Sequence, residues 1–489
     1  MGSLISDENI ESKIVFTGDG AMSLRAGFTL TGGITAQTNN EGIVDLWDNT
    51  VITGQVGASN KHIGFITAQT SASSQFLKPI FVNILMFHTG TMKAFDDVVL
   101  GSYAQIATGT LDFDGNVTGN IIFVAEDGTV DLAQSKTIVG NTTASGDGVG
   151  TISLHSDSNI TGSVGETGKS IKLLTSDSTT SNLITGTVFA KTITNSGTGA
   201  MTFSSDVVTS TNTININNTG IMNFNGNVTG NVEFSGDGTV NLAANKTIFG
   251  TIDNVTSIDS QGTLNLHNNS HVTDPGTIGA TKKLSLIQLN DTTYIRTWNN
   301  NWNTDKLSVN SGTLIMDSHP TFSVLTNNAT IVLNSGSEIT TDSLVGNGIY
   351  QFPLVEDLTM PVVTITNANH ANLSGHRIVI TTNLDSSSSL QAGVRTLFDS
   401  SHPTSNAQLP TTIDELPSFI LYDLSLITHD GDANGASQED IVLYVALSGN
   451  DLENYAYPYN KPAARQGEAK PRSSSPQKGC LSAPLRDCA

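Results

Sequence analysis

The chain has 489 residues, a net charge of −22 and only 13% charged residues, about half the share of a usual soluble domain. That balance excludes a nucleic-acid partner, which needs a basic footprint, and docking on anionic lipid. Forty-six glycines, 13 prolines and abundant Thr, Asn, Ser and β-branched residues predict many short strands joined by tight turns.

Residues 1–15 are polar and acidic and read as an N-terminal cap or leader, with no secretory signal pattern. From residue 16 to 308 the chain repeats itself. Phe16–Gly32 (FTGDGAMSLRAGFTLTG) aligns without a gap with Phe234–Gly250 (FSGDGTVNLAANKTIFG). Gly42–Thr67 (GIVDLWDNTVITGQVGASNKHIGFIT) aligns without a gap with Gly150–Thr175 (GTISLHSDSNITGSVGETGKSIKLLT). Phe76–Phe87 (FLKPIFVNILMF) is the most apolar stretch; too short to span a bilayer, it reads as a pair of buried strands. Leu111–Gly140 and Met222–Gly250 form the strongest pair, sharing an unbroken GNVTGN and differing by one inserted residue. Units thus begin near Phe16, Phe123 and Phe234, spaced by 107 and then 111 residues.

Inside each unit the pattern G-T-[apolar]-x-[apolar] recurs, as in Gly109–Phe113, Gly238–Leu242 and Gly262–Leu266. This alternation has the period of a strand with one buried face. Strands of three to five residues, recurring every eight to twelve, predict an all-β chain. Graded, indel-tolerant repeats predict a right-handed parallel β-helix (β-solenoid) of about three ~110-residue sequence repeats. At roughly 4.8 Å per turn, about 20 turns make a rod on the order of 100 Å long. The asparagines of GNVTGN are expected to stack between turns and to satisfy turn backbone groups. Residues 309–450 read as a diverged continuation, with strand-like runs at Val362–Thr366, Arg377–Thr382 and Asp440–Leu447. Residues 451–489, rich in Pro, Ser and Lys/Arg, read as a disordered basic tail. The tail holds both cysteines, Cys480 and Cys488, so no disulfide is expected to staple the body. An array of β-sandwich domains is the competing architecture, against which stands the lack of a Cys…Trp…Cys spacing.

GNVTGN after a G-T-[apolar]-x-F strand, with repeated G-D-G-T-V-N-L and N-K-T-I segments, resembles the passenger region of rickettsial outer membrane protein B and related rickettsial surface cell antigens. The resemblance covers most of residues 16–450 and is densest in Gly109–Gly140 and Phe203–Gly250. It implies a β-helical autotransporter passenger, exported to the surface or secreted by a Gram-negative cell. The implied roles are coat and adhesin, with a host cell-surface protein or glycan as partner, support for invasion, and recognition by host antibodies. The pattern of a C-terminal translocator β-barrel is missing from this chain, which therefore reads as a fragment, with no membrane insertion by this segment.

The residues nominate no catalytic, cofactor or metal site, no cofactor is expected, and the binding residues stay unassigned. His155 and His267 are equivalent in LHSDS and LHNNS, yet the first unit has Trp47 there, which argues for a structural role. The stretch from Asp430 to Gly435 opens like a calcium loop, but its twelfth position is Ile441 rather than a bidentate carboxylate. The Gly-Asp-Gly segments at 18–20 and 236–238 read as turns. A β-helical carbohydrate-active enzyme, a polysaccharide lyase or glycosidase, is the competing function. Its candidates are the Asp96-Asp97 pair and Asn303-Thr304-Asp305, since glycoside hydrolysis needs two carboxylates at a defined separation. Trp298 and Trp302 in TWNNNWN read either as a carbohydrate or receptor contact or as strand packing.

Overall fold

The computed structural model describes residues 2–447, apart from 70, 126–127, 274–276, 299–301, 355–360, 368–372, 374, 383–392, 401–411, 414–421 and 430–439. The tail, both cysteines and the Asp430 loop lie outside the described residues. Among the described residues all regular structure is β, and the strands stack in parallel as a solenoid of about 17 turns. At about 4.8 Å per turn the rod is about 80 Å long.

One turn shows how the sequence makes the fold. Ala21–Leu24, Thr29–Leu30 and Ile34–Ala36 occupy three successive strand positions, and Glu41–Leu46 then returns onto the first. The return sets Met22 on Val44 and Leu24 on Leu46. Every second residue points inward, so Met22, Leu24, Val44 and Leu46 are buried while Ser23 and Asp45 face out. Inward Val, Ile, Leu, Met and Phe form one continuous core cluster from Phe16 to Leu443. Each such side chain contributes roughly 1.5–3 kcal/mol by burial. A single core with in-register pairing through the three units overturns the sandwich array.

The residues Phe76–Phe87 form the end of Ser73–Phe76 and all of Ile80–Phe87. Strand length departs from expectation, running from two residues to the 15 of Leu284–Trp298. The long strands arise where two adjacent positions fuse across a corner through a bulge, as between Val82 and Ile84. The parallel pattern ends in the diverged region. Asp440–Leu447 pairs antiparallel with both Gly393–Ser400 and Tyr422–His429, so the expected helical continuation to 450 is corrected there. Antiparallel pairing gives Gly393–Ser400 a partner on its outer edge and covers what would be an open ladder.

The sequence repeat is not a whole number of turns. Ala21 leads by successive partners through Ile43, Phe65, Ile84 and Tyr103 to Asn120, five turns on. The strand equivalent to Ala21–Leu24 is the next one in the chain, Thr129–Leu132. Thr129 leads likewise through Thr151, Leu173, Thr192 and Thr213 to Asn231, and the next strand is Thr239–Leu242, the third equivalent. Each unit therefore advances five turns and one strand position, and each copy presents its equivalent residues on a different side of the rod.

Residues before Phe16 belong to this scheme. Ser3–Ser6 pairs in register with Ala21–Leu24, so these residues form the first turn. Leu4, Asp7 and Asn9 stand where the second unit has Leu111, Asp114 and Asn116, a match visible as L-x-x-D-x-N in both.

Candidate functional site

The GNVTGN asparagines are turn caps. Asn116 Oδ1 accepts the Thr137 N–H at 3.0 Å, and the Asn116 N–H donates to Asp97 Oδ1 at 2.9 Å. The third unit repeats this, with Asn227 accepting from Thr247 at 3.1 Å and donating its N–H to Asp206 at 2.8 Å. Asn9 accepts from Thr29 at 2.8 Å in the first. Asn120, Asn141 and Ser163 form a second such ladder. Each side-chain oxygen satisfies a corner N–H of the following turn, which the parallel ladder leaves unpaired. Asn227→Ala is expected to cost about 0.5–2 kcal/mol, as loss of a capping side chain does; chemical denaturation read by circular dichroism measures it.

Asp97 is thus engaged in a cap, and Asp305 stands about ten turns along the rod, on the order of 50 Å away at roughly 4.8 Å per turn. These carboxylates cannot flank one glycosidic bond, so the structure separates that candidate pair. Thr304 is buried and its hydroxyl donates to the Leu284 and Lys306 carbonyls. The Gly-Asp-Gly segments lie at bends, and Asp237 accepts the Gly262 N–H at 3.1 Å.

The three equivalent positions Trp47, His155 and His267 all sit at strand ends, on three different sides. Trp47 is 42% exposed, and the Arg25 guanidinium lies 4.9 Å from its ring centroid. The Trp47 indole N–H donates to Ser23 at 3.1 Å. The His267 carbonyl accepts the Ser270 hydroxyl at 2.6 Å and the Ser270 N–H at 2.8 Å.

His155 stands in a charged ladder that sequence inspection missed, because its members are about 20 residues apart. Lys93 Nζ bridges Asp112 at 2.8 Å and Asp114 at 3.0 Å. His155 Nε2 meets Asp131 at 3.0 Å, and Nδ1 meets Asp177 at 2.8 Å. These residues, with Gln134 and Ser156, line a groove of about 440 Å³. Partial burial opposes protonation of His155, but the hydrogen bond to Asp177 and the charges of Asp131 and Asp177 outweigh it and raise its pKa above 6.5. Burial likewise opposes the Lys93 charge, and Asp112 and Asp114 outweigh it.

His155 should therefore add stability that is present below pH 6.5 and lost as pH rises through its raised folded value. His155→Gln is expected to lower the melting temperature at pH 5.5 and to leave it nearly unchanged at pH 8.5. Facing His155 are Asp131 and Asp177, with Lys93, Asp112 and Asp114 further along the same groove.

The tryptophan pair lies at another corner. Trp298 is 1% exposed and Trp302 9%, with ring centroids 5.1 Å apart and edge-on. Phe322 packs edge-on against Trp298 at 5.3 Å. The pair packs in the core, and it also walls a second groove, of about 450 Å³.

Compared with known proteins, the chain matches no family model, and no curated protein sequence matches it.

Proposed function

We propose that this chain is part of a bacterial autotransporter passenger, a surface coat and adhesin rod that contacts a protein or glycan of host cells. The observation that carries this reading is the parallel solenoid running through all three units, with repeats that turn their equivalent sites to different sides. A rod of that kind presents binding surface along its length and all round it, which suits a coat. The resemblance of GNVTGN and its neighbours to rickettsial surface antigens supplies the setting. The acidic surface keeps such rods soluble and apart from one another. No described helix is long and apolar enough to cross a membrane. In this reading a translocator barrel outside this chain supplies the anchor, and the passenger is not an enzyme.

The test is saturable binding of the folded chain to cultured endothelial cells, with heat-unfolded chain as control. Binding that unfolding abolishes supports the adhesin; absence of binding by folded chain leaves the coat role alone. A second reading, a β-helical polysaccharide-cleaving enzyme, draws on Asp112, Asp114, Asp131 and Asp177 lining one groove with His155. All four carboxylates are tied to Lys93 or His155, whereas glycoside hydrolysis needs one carboxyl group to give up a proton. Release of reducing ends from acidic polysaccharides, lost in Asp131→Asn, would establish it.

A further inference from the structure

The groove at the tryptophan corner gathers residues from three successive turns: Gly279 and Lys283, then Trp302 and Asn303, then Ser318 and His319. Three observations bear on what it takes. First, Ser318 is 3% exposed, and its hydroxyl has no hydrogen-bond partner in the protein. A buried hydroxyl left unpaired costs free energy that a ligand's hydroxyl can recover. Secondly, Trp302 reaches the groove from an aromatic cluster backed by Trp298 and Phe322, which gives a rigid apolar wall. Thirdly, the charge is inverted relative to the chain. In a protein of net charge −22, no Asp or Glu among the described residues lines this groove. Lys283 lines it and is in no ion pair among the described residues, while its neighbour Lys282 is taken by Asp259 at 3.7 Å. The nearby Asp317 accepts from Asn334 at 2.6 Å.

We infer that this groove is a binding site for a carboxylated sugar, a pyranose acid of the sialic-acid class. Lys283 meets the carboxylate. Ser318 and the amide oxygen of Asn303, whose Nδ2 already donates to the Gly279 carbonyl at 3.1 Å, meet ring hydroxyls. Trp302 covers an apolar face of the ring, as aromatic side chains do in pockets with a few convergent polar groups. His319, exposed at the rim, adds a ring nitrogen. This assignment deepens the glycan arm of the adhesin reading and rests on it for its biological setting alone.

The probe is 3′-sialyllactose against lactose, titrated into the full chain at low salt and followed by calorimetry and tryptophan fluorescence. The expected result is saturable binding with a dissociation constant on the order of 1 mM or tighter, with lactose at least tenfold weaker. Lys283→Gln and Ser318→Ala are each expected to weaken sialyllactose binding fivefold or more. Neither should unfold the chain, since among the described residues one removes an ammonium in no ion pair and the other a hydroxyl that bonds nothing; unchanged circular dichroism checks this. Absence of saturable binding, equal affinity for the two sugars, or a Lys283→Gln variant that binds like the parent would each overturn the assignment. Cell binding separates the two readings. A double variant that still binds sialyllactose as the parent does sinks the groove, whatever its cell binding, and leaves the adhesin. A parent that binds sialyllactose but no cells keeps the groove and sinks the adhesin.

Discussion

Gly150→Val should unfold the middle of the rod. Gly150 has φ +85°, a backbone conformation that a β-branched residue avoids. A Cβ there would also fall inside the ring of Phe123, which is buried with no exposed surface. The left-handed conformation costs roughly 1–2 kcal/mol and overpacking typically another 1–3 kcal/mol. The expected loss is thus about 2–5 kcal/mol. The same arrangement holds in each unit, with Gly42 over Phe16 and Gly262 over Phe234, at φ +86° and +85°. Because neighbouring turns stabilise one another, the loss should be local first. Hydrogen exchange should therefore speed up around residues 120–155 before the ends of the rod respond. Phe123→Ala in the Gly150→Ala background should recover part of the overpacking cost while leaving a cavity. No recovery would show that backbone conformation alone governs the site.

Arg296→Met is expected to be at least as damaging, for a different reason. Arg296 and Asp291 have side chains only 4% and 3% exposed and form a bidentate pair, Nε to Oδ2 at 3.0 Å and Nη2 to Oδ1 at 2.9 Å. Nη1 also donates to the Ser270 carbonyl, and Asp291 accepts the Asn269 N–H at 3.1 Å. The pair thus ties the bulged middle of Leu284–Trp298 to the preceding corner. Removing the guanidinium leaves a carboxylate buried without its counter-charge, a change that typically costs about 3–5 kcal/mol. Asp291→Asn together with Arg296→Met should recover a large part of that loss, because no charge is then stranded. Denaturant midpoints of the two single variants and the double variant decide the matter. A double variant no more stable than Arg296→Met alone would mean that packing, rather than the stranded charge, sets the cost.

The two histidines with perturbed pKa values push in opposite directions. His376 is buried beside Tyr350, and burial holds its pKa below 6.5 against a smaller opposing pull from the nearby Leu373 and Val345 backbone. The unfolded chain binds that proton first as pH falls, so His376 erodes stability below pH 6.5. His155 acts the other way over its own range, which makes single-site replacement the only clean way to separate them.

How much of this was legible beforehand can be judged residue by residue. The inward residues of Gly109–Phe113 and Gly238–Leu242 follow from alternation alone, because a strand exposes only two faces and one must be apolar. Stacking of turns follows from the GNVTGN copies, and the capping work of Asn116 and Asn227 follows from the need to satisfy corner N–H groups. These are local requirements, written in neighbouring residues. The packing of Trp298 and Trp302 was legible as one of two readings, but their place was not, since a four-residue spacing does not reveal that a corner lies between them. The ladder of Lys93, Asp112, Asp131, His155 and Asp177 was invisible for a related reason. Its members meet only because each turn of that stretch consumes 19 or 22 residues, and that number is set by how each corner folds. The sequence by itself determined a repeat, an apolar inside and a capped corner. Only the tertiary structure decided that the repeat spans five turns and one strand position, because residues per turn is a property of the closed rung rather than of any segment. That fraction of a turn carries Trp47, His155 and His267, equivalent in sequence, to three different sides of the rod.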